Sequence, residues 1–346
     1  MNLLTRSQKN NNSVTSHRTD AWLLWSTVAK LALGLTLIAS LPLAPRASAD
    51  SFFSTGNPDG KIGTLSRPAS DGLVQTETAD DFILSQSIVI NQATFTGLLP
   101  LGAPLSSINR VEVEIYHVFP VDSDTSRTPA VVTRMNSPSD MEIHDATRDT
   151  ADGSLSANAV VVNPMFSVLN SVVNGIFKSP NQFTGGEGSV IGEEVSITVT
   201  FDPPIALPAD HYFFRPEVGL NSGNFLWLSA PRPVNPPIFV GDLQSWIRND
   251  NLAPDWSRIG TDITHQGPFN ASFSLSGETI EQRIGELVPC SGPASGGKWK
   301  SHFQYVFTVN QVSQSFVAQG LITAQQEDQI VSAAARSHCG KSKKHH

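Results

Sequence analysis

Four stretches of the chain alternate apolar and polar side chains with a period of two, and this pattern restricts the fold more than any other feature. Ala93, Phe95, Gly97 and Leu99 are interleaved with Thr94 and Thr96, and Val111, Val113, Ile115, His117 and Phe119 with Glu112, Glu114 and Tyr116. Val195, Ile197, Val199 and Phe201 are interleaved with Ser196, Thr198, Thr200 and Asp202, and Phe269, Ala271, Phe273 and Leu275 with Asn270, Ser272 and Ser274. Successive strand residues point to opposite faces, so each stretch has one face to bury and one to hydrate. Two such sheets laid against each other bury both apolar faces. The expected fold is therefore mainly β, an antiparallel β-sandwich of jelly-roll-like type. Turn chemistry falls between the strands at Asn57-Pro58-Asp59-Gly60, Asp152-Gly153, Gly185-Gly186 and Asp202-Pro203-Pro204. The polar stretch from Thr125 to Asn158 reads as a long loop with one short strand, and the run Pro231 to Pro237 as a stiff extended connector.

The first 49 residues read differently. Arg6, Lys9, Arg18 and Lys30 precede an apolar run from Leu31 to Ala44, and Ala47-Ser48-Ala49 then stands before Asp50. A basic region, an apolar region and an A-x-A site are the parts of a secretory signal peptide, which predicts a secreted product, extracellular or periplasmic. No later stretch has the length to cross a bilayer, so no stable membrane insertion is expected after cleavage. The chain has a formal charge of −8, and this leader is basic, so the remainder is more acidic still. An acidic surface repels nucleic acid, which is excluded as a partner.

Residues 50–288 are assigned to the sandwich and 289–340 to a separate module. Within the latter, Trp299, Phe303, Val306 and Val317 fall at helical spacing and Gly320 breaks the pattern. Thr323 with Gln326 forms a capping-box signature, and Gln325 to Ala335 is rich in helix formers. Two short helices forming a hairpin are expected, behind a flexible Gly292–Gly297 linker and ahead of a basic tail, 341–346. The chain has only two cysteines, Cys290 and Cys339, at the two edges of this segment. In an oxidising compartment they are expected to form a disulfide, stapling a hairpin too small to hold itself together.

Candidate chemistry is sparse. No G-x-S-x-G, H-E-x-x-H or Walker motif occurs, and Ser295-Gly296-Gly297-Lys298 matches S-x-x-K by letter alone. Asn57 and Asp59 in one loop, with Glu77, Asp80 and Asp81 just before a strand, supply oxygen ligands of the type a structural calcium ion takes. Glu112 and Glu114 share one strand face at a separation of about 6–7 Å, within the range of a glycosidase acid pair, although alternation assigns that face to solvent. His117 falls on the apolar face as a packed histidine, and Glu142, His144 and Asp145 cluster in the long loop without metal-ligand spacing. The aromatic lead is stronger. Trp246 and Trp256 bracket Arg248, Asn249 and Asp250, a combination that provides flat faces for sugar stacking and polar groups for hydroxyls.

Several motifs carry a resemblance. Thr55-Gly56-Asn57-Pro58-Asp59-Gly60, Ser66-Arg67-Pro68, Glu77-Thr78-Ala79-Asp80-Asp81-Phe82, Phe95-Thr96-Gly97-Leu98, Val113-Glu114-Ile115-Tyr116, Leu207-Pro208-Ala209-Asp210-His211-Tyr212-Phe213 and Trp227-Leu228-Ser229-Ala230-Pro231-Arg232-Pro233 resemble a group of exported bacterial proteins. Many members look like cell-surface or matrix proteins, and some end in a PEP-CTERM envelope-sorting tail, which this sequence replaces with the Cys290–Cys339 module. The resemblance implies a β fold and an exported location; it carries no catalytic residue. The leading functional expectation is a non-enzymatic protein that binds carbohydrate or another extracellular polymer through the Trp246–Trp256 loop. The alternatives are a structural protein of the extracellular matrix that docks through its helical hairpin, and a polysaccharide hydrolase.

Overall fold

The structure, a computed structural model, describes residues 51–70, 72–127, 135–176, 184–232 and 242–341. The leader, most of the proline connector and the tail from 342 lie outside them. In chain order the strands are β1 (Ser51–Ser54), β2 (Ile62–Leu65), β3 (Thr76–Ile83), β4 (Ile88–Pro100), β5 (Ile108–His117), β6 (Arg148–Asp149), β7 (Leu155–Val168) and β8 (Asn170–Val172). They continue with β9 (Val190–Leu207), β10 (His211–Leu220), β11 (Leu226–Ala230), β12 (Trp246–Asn249), β13 (Ser257–Arg258), β14 (Asn270–Ala271) and β15 (Phe273–Thr279). Three helices follow, α1 (Ile280–Leu287), α2 (His302–Ala318) and α3 (Ala324–Arg336).

The strands form two sheets. The first runs β1-β15-β4-β11-β2-β8, with β9 also paired to β4, β7 to β9 and β14 to β11; the second runs β13-β12-β3-β10-β5-β6. All strand pairs are antiparallel except β2 with β8. The alternating stretches seen in the sequence lie in β4, β5, β9 and β14–β15, and their apolar residues meet between the sheets. Phe95, Val113, Ile115, Ile197, Phe214, Trp227 and Phe273 are all buried there. The Phe214 and Phe273 rings stack at 5.1 Å, and the Trp227 indole N–H donates to the Ser272 carbonyl, so its one polar atom is satisfied inside the core. Gly97 belongs to this face because the Phe225 ring lies against it; a Cβ there would fall 2.0 Å from the ring.

The expected hairpin of two helices is present as α2 and α3, and a third helix, α1, packs against it from ahead of residue 289. It begins at Ile280, where the strand β15 runs straight into α1 through a capping box of Thr279 and Gln282. Ile280 and Ile284 pack on Val89 of β4 and on Val309, Phe316, Leu321 and Ile322, so the module shares a core with the sandwich edge. Thr323 and Gln326 form the expected capping box on α3. Gly292–Gly297 is a hydrogen-bonded turn: Gly292 N–H donates to Pro289 O and the Trp299 indole N–H to the same carbonyl. The Cys290–Cys339 disulfide closes the module across a sequence separation of 49, a loop length for which the chain-entropy account gives about 4 kcal/mol.

Candidate functional site

The second sheet has an unusual outer face. Residues that alternate away from the core on β3, β5, β10 and β12 face loops instead of water. In register, Arg248 stands opposite Glu77, Arg215 opposite Glu114, and Glu217 opposite Glu112. The result is four carboxylates gathered around two guanidinium groups, all of them buried. Arg215 is the hub: its Nη1 lies 2.7 Å from Glu217 Oε2, and its Nη2 lies 3.2 Å from Glu77 Oε1 and against Glu114 Oε2. Arg248 grips Glu77 with Nε and Nη2, and its Nη2 also donates to the Tyr116 hydroxyl (2.9 Å). That hydroxyl in turn lies 2.5 Å from Glu114 Oε2 and 3.0 Å from Glu77 Oε1. At the lower end Arg110 bridges Glu112 (2.7 Å) and Asp149 (2.5 Å).

The electrostatics follow from this crowding. Burial disfavours every charge here, yet the guanidinium groups of Arg215 and Arg248 hold Glu77 below the usual carboxylate range. Glu112 and Glu217 face each other on paired strands, where like charges disfavour each other. Burial, offset only in part by Arg215, pushes Glu217 up to about 8. Burial, with Glu114 as a second acid beside it, pushes Glu112 up to about 7. The cluster thus holds protons at neutral pH on some of its acids and charge on others.

Two loops seal it. Trp256 lies over the Arg248 guanidinium at 4.3 Å, and Tyr116 contacts the same group at 5.2 Å. The Trp256 indole N–H donates to Ser139 O, and Arg248 Nη1 donates to Asp140 O. Arg127 then ties the two loops together through Asp140 and Asp255.

This geometry corrects several expectations. Trp246 is 1% and Trp256 3% exposed, so neither ring presents a face to a sugar. Both sit with Ala79, Tyr116 and Phe213 in an apolar cluster beneath the loops. Arg248 is spent on Glu77. Asn249 accepts from the Asn251 and Leu252 amides as a turn residue, and Asp250 is exposed beside it. Glu112 and Glu114, expected to be solvated, are both 8% exposed. They touch the same Arg215 and leave no room for a glycosidic bond between them.

The calcium set does not converge. Asp80 and Asp81 are neighbours on β3 and point to opposite faces. Asp80 accepts from Ser245 and the Ala271 amide; Asp81 accepts from the Leu243 amide and lies 2.6 Å from His211 Nε2. Burial raises both of these acids. Asp59 accepts from Ser229 and pairs with Lys61, while Asn57 is exposed. Among the described residues no group of three His, Cys, Asp or Glu is placed to hold a metal ion. His117 is half-buried, its Nδ1 2.5 Å from Asp122.

A different part of the surface stands out. Strand β7 pairs with β9 alone among the described strands and leaves its other edge unpaired. Val160, Val161 and Val162 are 50%, 42% and 57% exposed, Met165 is 67% and Leu169 72%. Consecutive exposed residues on a strand occupy both faces, so Val160–Val162 are open on both, while Leu155 and Ala159 pack on the core between the sheets. No Asp, Glu, Lys or Arg occurs from Gly153 to Phe177. Sequence reasoning missed this strand because nothing in Ala-Val-Val-Val-Asn-Pro-Met alternates; the available signal was the length of chain without a charge.

Among the described residues no helix is long and apolar enough to cross a membrane. No family model, no curated protein and no solved structure matches the chain.

Proposed function

We propose that this chain is an exported, non-enzymatic structural protein that assembles with copies of itself in the extracellular matrix or cell envelope. The observation that carries the reading is β7. A long, apolar, uncharged edge strand is what soluble β proteins normally avoid, by charge, brevity or cover, because it offers unpaired backbone groups to any other strand. Here the acidic remainder of the chain makes copies repel one another, and β7 is the stretch where they do not. Two antiparallel β7 strands present identical edges, so the contact is self-complementary and closes both. Pro164 has no N–H to donate and marks the end of a regular run, which leaves Ser156–Val162 as the pairing run.

Export is supported by the leader, by the disulfide, which suits an oxidising compartment, and by the resemblance to exported surface proteins, which rests on the quoted motifs alone. Carbohydrate binding loses its named support with the burial of Trp246 and Trp256. The test is the association state of the oxidised protein by light scattering after chromatography. At about 0.5 M salt the expected result is a dimer or larger species in wild type and a monomer in Val161→Lys, which places a charge on the edge. A wild-type monomer at every concentration would refute the reading.

A further inference from the structure

The helical module carries the opposite charge to the domain it is joined to. Residues 50–288 contain 12 Lys and Arg against 28 Asp and Glu, whereas residues 289–346 contain six against two. In the structure the exposed cations of the module gather at one end. The His302 ring lies 2.7 Å from Cys339 O through Nδ1 and 2.9 Å from Ala335 O through Nε2, which ties the start of α2 to the end of α3. Lys298 and Lys300 lead into the first of these points, and Arg336 and Lys341 flank the second; all four are exposed.

The same end carries the most exposed aromatic of the described residues. Phe303 is 77% and Phe307 48% exposed, one helical turn apart, with rings 6.1 Å apart and nearly parallel. The spacing in the sequence places Phe303 on a helix without fixing which face is buried. Helix α2 buries Val309, Ser313 and Phe316, which turns Phe303 and Phe307 to the opposite side. Leaving these rings in water forgoes the gain that burying an aromatic side chain brings. An apolar centre rimmed by cations is the composition of a docking surface.

A matching surface exists on the sandwich. In the segment between β5 and β6, Val121 is 47% and Met141 61% exposed, and the acids Asp124, Glu142 and Asp145 are exposed around them. The two sides of this patch are stitched by the Asp140 amide donating to Ser123 Oγ and the Asp124 amide donating to Asp140 Oδ2. Apolar meets apolar, with methionine sulfur suited to aromatic edges, and the rims have opposite sign.

We propose that the Phe303–Phe307 end of the helical module docks on the Val121–Met141 patch of a second copy of the chain. The two patches are different, so the contact is head-to-tail and propagates instead of closing. It shares with the assembly reading only the identity of the partner. Strand β7 is uncharged, so pairing there resists salt, whereas this contact weakens as salt screens its rim.

The experiment is sedimentation velocity on the chain as its host produces it, in the Val161→Lys background that removes β7 pairing, at about 0.05 M and about 0.5 M salt. At low salt the expected result is concentration-dependent association, weakened at least tenfold at high salt, by Phe303→Ser with Phe307→Ser, and by Lys298→Glu with Lys300→Glu. Mixing the Lys298→Glu, Lys300→Glu protein with one carrying Glu142→Lys and Asp145→Lys restores association by exchanging the charges. Association untouched by these substitutions overturns the proposal, as does a monomer at low salt. Binding of that monomer to phosphatidylglycerol vesicles would assign the surface to anionic lipid instead. Loss of salt-resistant association in the wild type alone bears on β7 and leaves this contact standing.

Discussion

The outer face of the second sheet and the edge strand β7 invert the usual assignment of polarity. The first buries four glutamates and two arginines under two loops; the second exposes three consecutive valines and a methionine. Burying charge costs free energy unless each ion is paired and hydrogen-bonded, and a buried network specifies one arrangement more than it stabilises it. Exposing valine costs little in a monomer and promotes contact with another chain. The comparison separates two uses of a strand. On β3, β5, β10 and β12 the side chains fix how loops seat on the sheet, while on β7 the backbone edge remains available.

The sharpest way to break the comparison is to remove the hub. Arg215→Met leaves Glu77, Glu114 and Glu217 buried without their common cation. The expected loss is about 3–5 kcal/mol of unfolding free energy, read from urea denaturation. A loss below about 1 kcal/mol would mean that water reaches these acids and that the face is ordinary surface. Trp256→Ala comes next, at about 3 kcal/mol, because it removes a buried ring and uncovers Arg248. If the sealing loops act as one unit with the cluster, the two losses are not additive.

The pH dependence sharpens the same contrast. Glu217 at about 8 and Glu112 at about 7 bind protons in the folded chain that they release near pH 4 when unfolded. The folded state therefore holds more protons between those values, and stability falls as pH rises through 7 and 8. Glu77, held low, loses its contribution only under acid conditions well below pH 5. The urea midpoint is expected to be higher at pH 5.5 than at pH 8.5, and Glu217→Gln is expected to flatten part of that slope. A midpoint that rises over this interval would contradict the assignment of the protons.

How much of this was legible depends on what alternation reports. Period two marked β4, β5, β9 and β15 because each has one dry and one wet face. It identified the outer face of Glu112 and Glu114 correctly but said nothing of the loops folded over it, which carry Ser139, Asp140 and Trp256 from elsewhere in the sequence. Trp246 and Trp256 were visible as a pair, yet a loop aromatic reads the same whether its ring caps a sheet or faces a ligand. The disulfide was legible because two cysteines allow one pairing. Phe303 was legible as a helix residue but not as an exposed one, because helical spacing fixes which residues share a face, not which face is buried. Strand β7 was invisible because its middle, Val160–Val162, is wet on both faces and has no period.

The smallest expected effect on stability is the one that tests the other half of the comparison. Val161 is 42% exposed and β7 has no partner on its free edge among the described strands. Val161→Lys should therefore change the urea midpoint by less than about 0.5 kcal/mol equivalent while abolishing salt-resistant association. Lysine on an edge strand keeps its ammonium in water and leaves the β7–β9 ladder intact, since that ladder is made by the other edge. If the substitution instead costs as much as Trp256→Ala, Val161 is packed in the native state and β7 belongs with the buried face. If stability is unchanged and association persists, the exposed valines are tolerated surface and assembly runs through the helical module alone.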